Sequence, residues 1–230
     1  MRLTSGLHLY TPRSTGTDMN QVIEARKLVL EACLRLADRG FLPGTGGNIS
    51  LRIDDWRFAI TPSGLDYYSK AADDICVANL DSLELEDSRL KPSIEIGMHA
   101  TLLRARSDAA AVIHTHQPLA SAVALLGIDV PVCEPDARIG PFMASVPYAP
   151  SGTWLLARAL RKRIGPDLDA YLLRNHGLIC CGRTMGAAIV AAESAERAAR
   201  RFLCGAIERA GDGVLAAQVL EILKGVPQTR

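Results

Sequence analysis

Residues 110–116 read Ala-Ala-Val-Ile-His-Thr-His. This stretch is rich in β-branched side chains, which favour a strand, and it ends in a pair of histidines. The residues that follow at once, QPLASAVALLG at 117–127, have apolar side chains at helical spacing. A strand that leads directly into a helix is therefore predicted near the middle of the chain.

The sequence before this stretch alternates between helices and short strands. Residues 18–41 have apolar side chains at three- and four-residue intervals with a stop at Gly40, which predicts a helix. Runs of alternating polarity predict strands, the first two joined as a hairpin by turn-forming aspartates. These strands lie at 48–53, 57–61, 76–80 and 83–85. Residues 93–106 then return to helical period.

The sequence after the histidine pair continues the alternation. A proline-rich passage covers residues 130–150, and no element is predicted there. Beyond it lie a helix at 153–164, strands at 170–176 and 178–181, a long helix at about 184–209 and a last short helix at 214–224. Because no linker or internal repeat interrupts this alternation, a single layered α/β domain over residues 1–230 is predicted.

Composition excludes several classes of protein. The 26 Lys and Arg against 25 Asp and Glu leave a formal charge of +1, so no overall field attracts a nucleic acid or an anionic bilayer. No apolar run approaches the roughly 20 residues of a membrane span, and the first residues lack the apolar region of a signal peptide. A cytoplasmic protein with neither nucleic acid nor membrane as a partner is predicted.

The cysteines do not form a disulfide or metal-binding pattern. There are 6 of them with no Cys-x-x-Cys spacing, and the adjacent Cys180 and Cys181 would point to opposite sides of a strand. Reduced, buried thiols that fill space in the core are therefore predicted.

The histidines are the first candidates for chemistry. His114 and His116 are two apart on a predicted strand, so their side chains project from one face and are able to bind one metal ion. The same pair fits two ordinary polar residues at the end of a strand. His176 lies between two predicted strands, where Gly177 would allow a tight turn that aims the imidazole inward. A hydrogen-bonded loop histidine is the alternative.

Glu95 lies near the beginning of the predicted helix at 93–106, and two interpretations fit it. A solvent-facing carboxylate in the first turn is favoured by the helix dipole, whereas a partly buried one has a raised pKa and is able to act as a general base. His99 follows four residues later and shares the helix face with Glu95, which allows a metal pair but better fits a structural histidine.

Three short segments could bind an anion. The loops GTGGN at 44–48 and TPSG at 61–64 offer backbone N–H groups and hydroxyls, as does Ser93 at a helix N-terminus. Neither loop is a Walker A sequence, since no Gly-Lys-Ser/Thr follows. Each loop taken alone also fits an ordinary turn.

The order of these segments along the chain is more specific than any one of them. GTGGNIS, TPSG, KPSIE, HTH and NHG follow one another over roughly residues 20–210. In this order they resemble the class II aldolase/adducin superfamily. The resemblance implies a three-layer α/β/α sandwich around a largely antiparallel sheet, and a homotetramer with active sites between subunits.

The resemblance also implies roles for individual residues. The family's metal-binding histidines fall on His114, His116 and His176, and its catalytic carboxylate falls on Glu95. The ion would be Zn²⁺, Mn²⁺ or another divalent transition metal, one per subunit. The phosphate-binding positions fall on Gly47, Asn48, Ser63, Gly64 and Ser93.

Three departures from the family pattern affect the substrate. Ile94 stands where such aldolases often have a second phosphate-binding serine, which predicts weak dependence on a substrate phosphate. The tyrosine that these aldolases place shortly after the position of Pro131, to protonate the aldehyde, is replaced here by Val-Cys-Glu-Pro-Asp. No tyrosine follows Tyr171 either, so the family's C-terminal aromatic has no counterpart.

The predicted activity is that of a metal-dependent aldolase. It would cleave or form a hydroxy-ketone or sugar phosphate through a metal-stabilised enediolate, with Glu95 as the base. The alternative is a decarboxylase of a β-keto acid or hydroxy acid on the same scaffold. A sugar-phosphate epimerase fits less well, because those members usually carry Asp where Glu95 stands. An adducin-like binding module fits less well because such members lack the three histidines.

Overall fold

The computed structural model describes residues 15–132 and 139–209. The predicted helix at 214–224 lies outside the described residues, as do residues 133–136 of the segment that replaces the family's tyrosine. The remaining predicted helices and strands fall within them, with boundaries that differ by a few residues.

Helices and strands alternate along the described chain. The first half contains helix α1 (Thr15–Asp38), strands β1 (Asn48–Arg52), β2 (Arg57–Ile60), β3 (Cys76–Asn79) and β4 (Leu85–Asp87), and helix α2 (Ile96–Ala105). The second half contains β5 (Ala111–Thr115), α3 (Pro118–Ala124), β6 (Val130–Pro131), β7 (Phe142–Val146), α4 (Trp154–Arg161), β8 (Ala170–Leu173), β9 (Gly177–Gly182) and α5 (Met185–Arg209). Two 3₁₀ turns, Tyr67–Ser69 and Ala72–Asp74, precede β3.

The strands form one sheet of nine in the order β4-β3-β2-β1-β5-β9-β8-β7-β6. Its ladders are antiparallel except for the parallel pair β7 and β8. The prediction of a largely antiparallel sheet is confirmed. β1, β5 and β9 lie in the middle of the sheet, and all three carry or adjoin candidate site residues.

Helices cover both faces of the sheet, which confirms the three-layer sandwich. Side chains of β5 alternate between the two faces, so that Ile113 packs with α1, α3 and α5 while Val112 packs with α2 and α4. Cys180 and Cys181 are divided between the two faces in the same way, as predicted. Among the described residues, Cys33, Cys76, Cys180, Cys181 and Cys204 are free thiols.

The proline-rich passage was the main omission, because it contains two strands. Pro131 ends β6, and Pro141 and Pro147 directly flank β7. Proline cannot donate a backbone hydrogen bond, but at the end of a strand and at the edge of a sheet no ladder bond is lost. The prolines therefore mark strand ends here and do not exclude strands.

Within the described residues, no helix is long and apolar enough to cross a bilayer.

Candidate metal centre and active site

Strand pairing brings three histidines to one edge of the sheet. His114 is the fourth residue of β5, and His116 follows the end of that strand. β9 pairs with β5 so that Leu178 is opposite Thr115. His176 precedes β9 in the turn from β8, and the pairing therefore places it beside the other two.

The imidazole rings of these histidines face a common point. One nitrogen from each of His114, His116 and His176 lies within 4.8 Å of the other two. The ring centroids of His114 lie 4.7 Å from those of His116 and His176, and the latter two rings are 5.3 Å apart. No other group of three potential metal ligands of this kind occurs in the described part of the chain.

Burial keeps two of these imidazoles neutral. Desolvation lowers the pKa of His114 to about 3, although the nearby Glu95 acts in the opposite direction. The pKa of His116 is also lowered, mainly by burial and then by repulsion from His176. A neutral imidazole offers a nitrogen lone pair, which is the form that binds a metal.

The positions of the free ring nitrogens in the histidine cluster suit a divalent metal ion. Nδ1 of His114 lies 2.8 Å from the carbonyl oxygen of Leu178, so it carries the proton and leaves Nε2 as the donor atom. That Nε2 lies only 2.9 Å from Nε2 of His116, which brings two donor atoms together. Nδ1 of His176 is buried without a hydrogen-bond partner in the structure. Three nitrogen donors with one fixed tautomer suit zinc and its neighbours.

Glycines allow the backbone to approach the histidines. A Cβ atom at Gly46 would lie 2.9 Å from Nδ1 of His116, and one at Gly177 would lie 2.5 Å from the carbonyl oxygen of Thr115. The turn that presents His176 uses Asn175, at φ 56°, as its left-handed residue. The predicted role of Gly177 in that turn was therefore wrong: this glycine is required for close contact between β9 and β5.

Glu95 lies directly against this cluster. Its carboxylate oxygen Oε2 is 3.2 Å from Nε2 of His114, and Oε1 is 3.1 Å from Nε2 of His176. Glu95 is buried and immediately precedes α2. The prediction that the Glu95 carboxylate is buried is confirmed, and the alternative of a solvent-facing carboxylate is excluded.

The charge of Glu95 is stabilised within the site. Burial raises the pKa of Glu95, but hydrogen bonding with His176 and a hydrogen bond from Asn48 outweigh the effect of burial, so the net shift is downward. The expectation of a raised pKa was therefore wrong. The side chain is an ionised carboxylate, which is the form that accepts a proton.

Two further side chains hold the carboxylate. Asn48 donates from Nδ2 to Oε2 at 2.7 Å, and Ser151 donates from Oγ to Oε1 at 2.8 Å. Ser151 was not predicted as a site residue. It lies in the loop between β7 and α4, and its Pro-Ser-Gly-Thr context is indistinguishable from an ordinary turn before a helix.

The segments predicted to bind phosphate lie next to one another. Pro62 and Pro92 are paired in an isolated antiparallel β-bridge. Two backbone hydrogen bonds flank this bridge: the N–H of Ser63 donates to the carbonyl of Lys91, and the N–H of Ser93 donates to the carbonyl of Thr61. β1 adjoins them, since the N–H of Thr61 donates to the carbonyl of Ile49. The loop at 44–48, the loop at 61–64 and the start of α2 thus share one edge of the site.

The individual groups in these segments differ in what they offer a ligand. Gly64 has φ 71° and open space around its Cα, so its backbone is accessible. Ser93 is buried, and its Oγ accepts a hydrogen bond from the N–H of Glu95. The Asn48 amide is engaged by Glu95, and Gly47 is enclosed by Leu42 and His114.

His99 does not belong to the metal cluster. Its Nε2 lies 2.6 Å from Oδ1 of Asn48 and its Nδ1 lies 2.7 Å from Oγ of Ser50. The option of a metal pair made by Glu95 and His99 is not supported by these contacts. Both ring nitrogens already have protein partners.

Comparison with known proteins identifies the family. The family model of the "Class II Aldolase and Adducin N-terminal domain" matches residues 27–203, which include the glycine-rich loop, Glu95 and the three histidines. The chain belongs to the class II aldolase/adducin family.

Relatives within the class II aldolase/adducin family support this assignment. The 5-deoxy-D-ribulose 1-phosphate aldolase of Bacillus thuringiensis serovar kurstaki is 39% identical over 170 residues, which cover 73% of this chain and 79% of the relative. The 5-methylthioribulose-1-phosphate/5-deoxyribulose-1-phosphate aldolase of Rhodospirillum rubrum is 35% identical over 189 residues, or 78% of this chain and 80% of the relative. A solved L-fuculose 1-phosphate aldolase superposes with a TM-score of 0.73 at 28% identity, covering 87% of this chain and 94% of that one.

Proposed function

We propose that this member of the class II aldolase family is a divalent-metal-dependent lyase that cleaves a hydroxy-ketone phosphate by a retro-aldol reaction. The observation that carries the proposal is the joint approach of Glu95 to His114 and His176, at 3.2 and 3.1 Å, beside the third imidazole of His116. A carboxylate and three imidazole nitrogens in one site combine a proton acceptor with a metal site.

His114, His116 and His176 are the proposed metal ligands, and Zn²⁺ or Mn²⁺ is the proposed ion. Support comes from the convergence of their nitrogens and from the hydrogen bond that fixes the tautomer of His114. When bound, such an ion supplies Lewis acidity toward the carbonyl and hydroxyl oxygens of a hydroxy-ketone.

Glu95 is the proposed base in the synthetic direction. Its carboxylate accepts the carbon-bound proton of the ketone fragment, and in the cleavage direction the carboxylic acid returns that proton to carbon. Asn48 holds Oε2 in the interior, whereas the exposed Ser151 contacts Oε1. We therefore propose Oε1 as the oxygen that exchanges the proton.

The proposed substrates are 5-deoxyketose 1-phosphates. Two relatives that match more than 70% of the chain are named for 5-deoxyribulose 1-phosphate. The edge formed by Ser63, Gly64 and Ser93 is the proposed phosphate site, together with Gly47 and Asn48. Ile94 beside it is 64% exposed and contacts Gly152, so an apolar side chain lies next to Glu95 where the family often has a hydroxyl.

The proposed assembly is a cytoplasmic homotetramer of single-domain subunits with active sites between them. Support comes from large apolar side chains on the described surface. Leu125, Leu126 and Ile128 form one exposed group after α3, and Tyr148, Trp154 and Leu155 form another beside Ser151. Light scattering of the purified protein measures the number of subunits.

The deciding experiment supplies the metal-loaded protein with three compounds. These are 5-deoxyribulose 1-phosphate, free 5-deoxyribulose and a β-keto acid. Retro-aldol cleavage of the first breaks the bond between C3 and C4 and releases acetaldehyde and dihydroxyacetone phosphate, both of which coupled assays detect.

Each result has a defined meaning. Acetaldehyde release that stops after chelation and returns with Zn²⁺ or Mn²⁺ supports the proposal. Release of CO₂ from the keto acid without aldehyde would establish the decarboxylase instead. A chain that takes up no metal and turns over none of the three would be a binding module.

A further inference from the structure

A chain of buried polar side chains lies behind Glu95. It runs from Ser50 Oγ to His99 Nδ1 at 2.7 Å, from His99 Nε2 to Asn48 Oδ1 at 2.6 Å, and from Asn48 Nδ2 to Glu95 Oε2 at 2.7 Å. Ser50 and His99 are 0% exposed, and Asn48 and Glu95 are 5% exposed. Water is therefore excluded from the inner part of this chain.

The backbone explains how the four residues meet. Asn48 and Ser50 are two apart on β1, so their side chains project from the same face of the sheet. Glu95 and His99 are four apart at the start of α2, so they lie on the same side of the helix. Because α2 packs against β1, Glu95 lies next to Asn48, and His99 lies between Asn48 and Ser50.

The direction of every hydrogen bond in the chain follows from the side-chain amide of Asn48. Its NH₂ group faces Oε2 of Glu95 and its carbonyl oxygen faces Nε2 of His99, and an amide oxygen only accepts hydrogen bonds. His99 must then donate from Nε2, which leaves Nδ1 to accept the hydroxyl proton of Ser50. Burial lowers the pKa of His99 to about 4, which keeps the ring neutral with a single N–H.

We infer that His99, with Ser50 behind it, is a positioning residue that fixes the side-chain amide of Asn48 and thereby the carboxylate of Glu95. The hydrogen bonds of the His99 ring go to Asn48 and Ser50, and the side chain is 0% exposed, so it reaches Glu95 through Asn48. Without its N–H, the Asn48 amide is free to turn its oxygen toward Glu95, where two acceptors repel each other.

This role predicts an effect on proton transfer in particular. A base displaced by a fraction of an ångström is less well aligned with the carbon-bound proton, while the three clustered histidines and the backbone of Ser63 and Gly64 keep their positions. The inference rests on the proposed function of Glu95, since only a catalytic carboxylate gives its alignment a kinetic consequence. A merely structural His99 would alter the stability of the core instead.

Variants of the full metal-loaded chain separate the two roles. His99→Leu fills similar space without hydrogen bonds and is expected to lower kcat about 10- to 100-fold with KM and metal content unchanged. His99→Gln retains one donor and one acceptor and is expected to recover most of that loss. Thr101→Val is the matched control, because it removes the hydrogen bond from Thr101 to Gly97 within the same helix.

A double-mutant cycle tests whether His99 acts through Glu95. If it does, His99→Leu causes little further loss in the Glu95→Gln background, because the base that it aligns is already absent. The inference would be overturned if His99→Leu lowered kcat by the same factor in the Glu95→Gln background as in the wild type. It would also be overturned if His99→Leu and Thr101→Val had equal effects on kcat.

Nuclear magnetic resonance keeps the test independent of turnover. With ¹⁵N-labelled histidine, the wild-type protein is expected to show His99 with a protonated Nε2 and a bare Nδ1, and Asn48→Ala is expected to disturb this tautomer. A proton on Nδ1 would overturn the chain even in an active enzyme. If the tautomer is as expected but none of the three compounds is turned over, the proposed reaction fails and the hydrogen-bonded chain stands.

Discussion

Asn48 and His114 are directly opposite one another in the antiparallel ladder between β1 and β5. This single pairing connects the glycine-rich loop to the candidate metal ligands. Gly47, one residue earlier, has φ 82°, and a Cβ atom there would lie 2.7 Å from the carbonyl oxygen of His114 and would overlap the side chain of Leu42. The loop therefore lies against the metal site because residue 47 has no side chain.

The first prediction is that Gly47→Ala destabilises the fold and weakens metal binding. A left-handed backbone at a non-glycine residue costs about 1–2 kcal/mol, and the overlap with His114 and Leu42 adds about 1–3 kcal/mol. Gly44→Ala is the control, since Gly44 has φ 61° with nothing within 4 Å of an added Cβ. Urea unfolding and metal titration of both variants give the comparison. Equal losses in the two variants would show that the contact with His114 is unimportant.

The second prediction concerns the ion. His116→Ala leaves two imidazoles, and the affinity for Zn²⁺ is expected to fall by at least about 100-fold because water must replace the missing donor. His99→Gln is the matched control, as it removes a histidine outside the cluster and is expected to keep one ion per chain. Elemental analysis after dialysis measures both. A full metal complement in His116→Ala would exclude His116 as a ligand.

The candidate metal site was predictable because its signals are local. His-x-His on a strand places two imidazoles on one face whatever the rest of the fold does, and the histidine before Gly177 adjoins the neighbouring strand. The contacts of Asn48 and Ser151 with Glu95 were not predictable in this way. They depend on how α2 packs over β1 and on the path of the loop before α4, and neither leaves a periodic pattern in the sequence.

Most of the sheet was also predictable, since its strands alternate in polarity or are flanked by turn residues. β7 was not predicted, because it lies within the proline-rich passage at 130–150 and is flanked by Pro141 and Pro147. The direction of the pKa shift at Glu95 was missed for a different reason. Burial alone raises a carboxylate pKa, and the hydrogen bonds that reverse the shift appear only in three dimensions.

The third prediction is that substrate phosphate contributes little to catalysis. Ile94 contacts Gly152 and offers no hydrogen bond beside the proposed phosphate site. We expect kcat/KM for the phosphorylated substrate to exceed that for its free form by less than about a thousandfold, roughly 4 kcal/mol. Ile94→Ser is expected to increase this ratio, whereas Leu85→Ser, at another exposed apolar position, is not. A wild-type ratio far above a thousandfold would contradict the prediction.

The fourth prediction concerns stability in acid. Arg106 donates to both carboxylate oxygens of Asp108, at 2.8 and 2.9 Å, and this hydrogen bonding lowers the pKa of Asp108 against the opposing effect of burial. A lowered pKa in the folded state means that Asp108 stabilises the protein above its unfolded pKa of about 4, and that this contribution disappears as the pH falls through the folded value.

Asp108→Asn tests the sign of that dependence. Its free energy of unfolding is expected to be below that of the wild type at pH 7, with the difference shrinking as the pH falls below about 4. Asp73→Asn, at an exposed position in the turn Ala72–Asp74, is the control. A difference that stays constant with pH would show that Asp108 contributes through packing and not through its charge.

The last prediction separates the base from the metal. Glu95→Gln keeps the size of the side chain and an oxygen that accepts from Asn48, but it cannot take up a proton. We therefore expect metal content and KM to change little while kcat falls about 10²- to 10⁴-fold. Exchange of the carbon-bound hydrogen of dihydroxyacetone phosphate with deuterated solvent should fall in parallel, because this exchange requires removal of the proton but no aldehyde. Ser151→Ala, which removes one hydrogen bond to the same carboxylate, should reduce exchange far less. Undiminished exchange and turnover in Glu95→Gln would exclude Glu95 as the base and leave Asp136, which lies outside the described residues, as the next carboxylate to test.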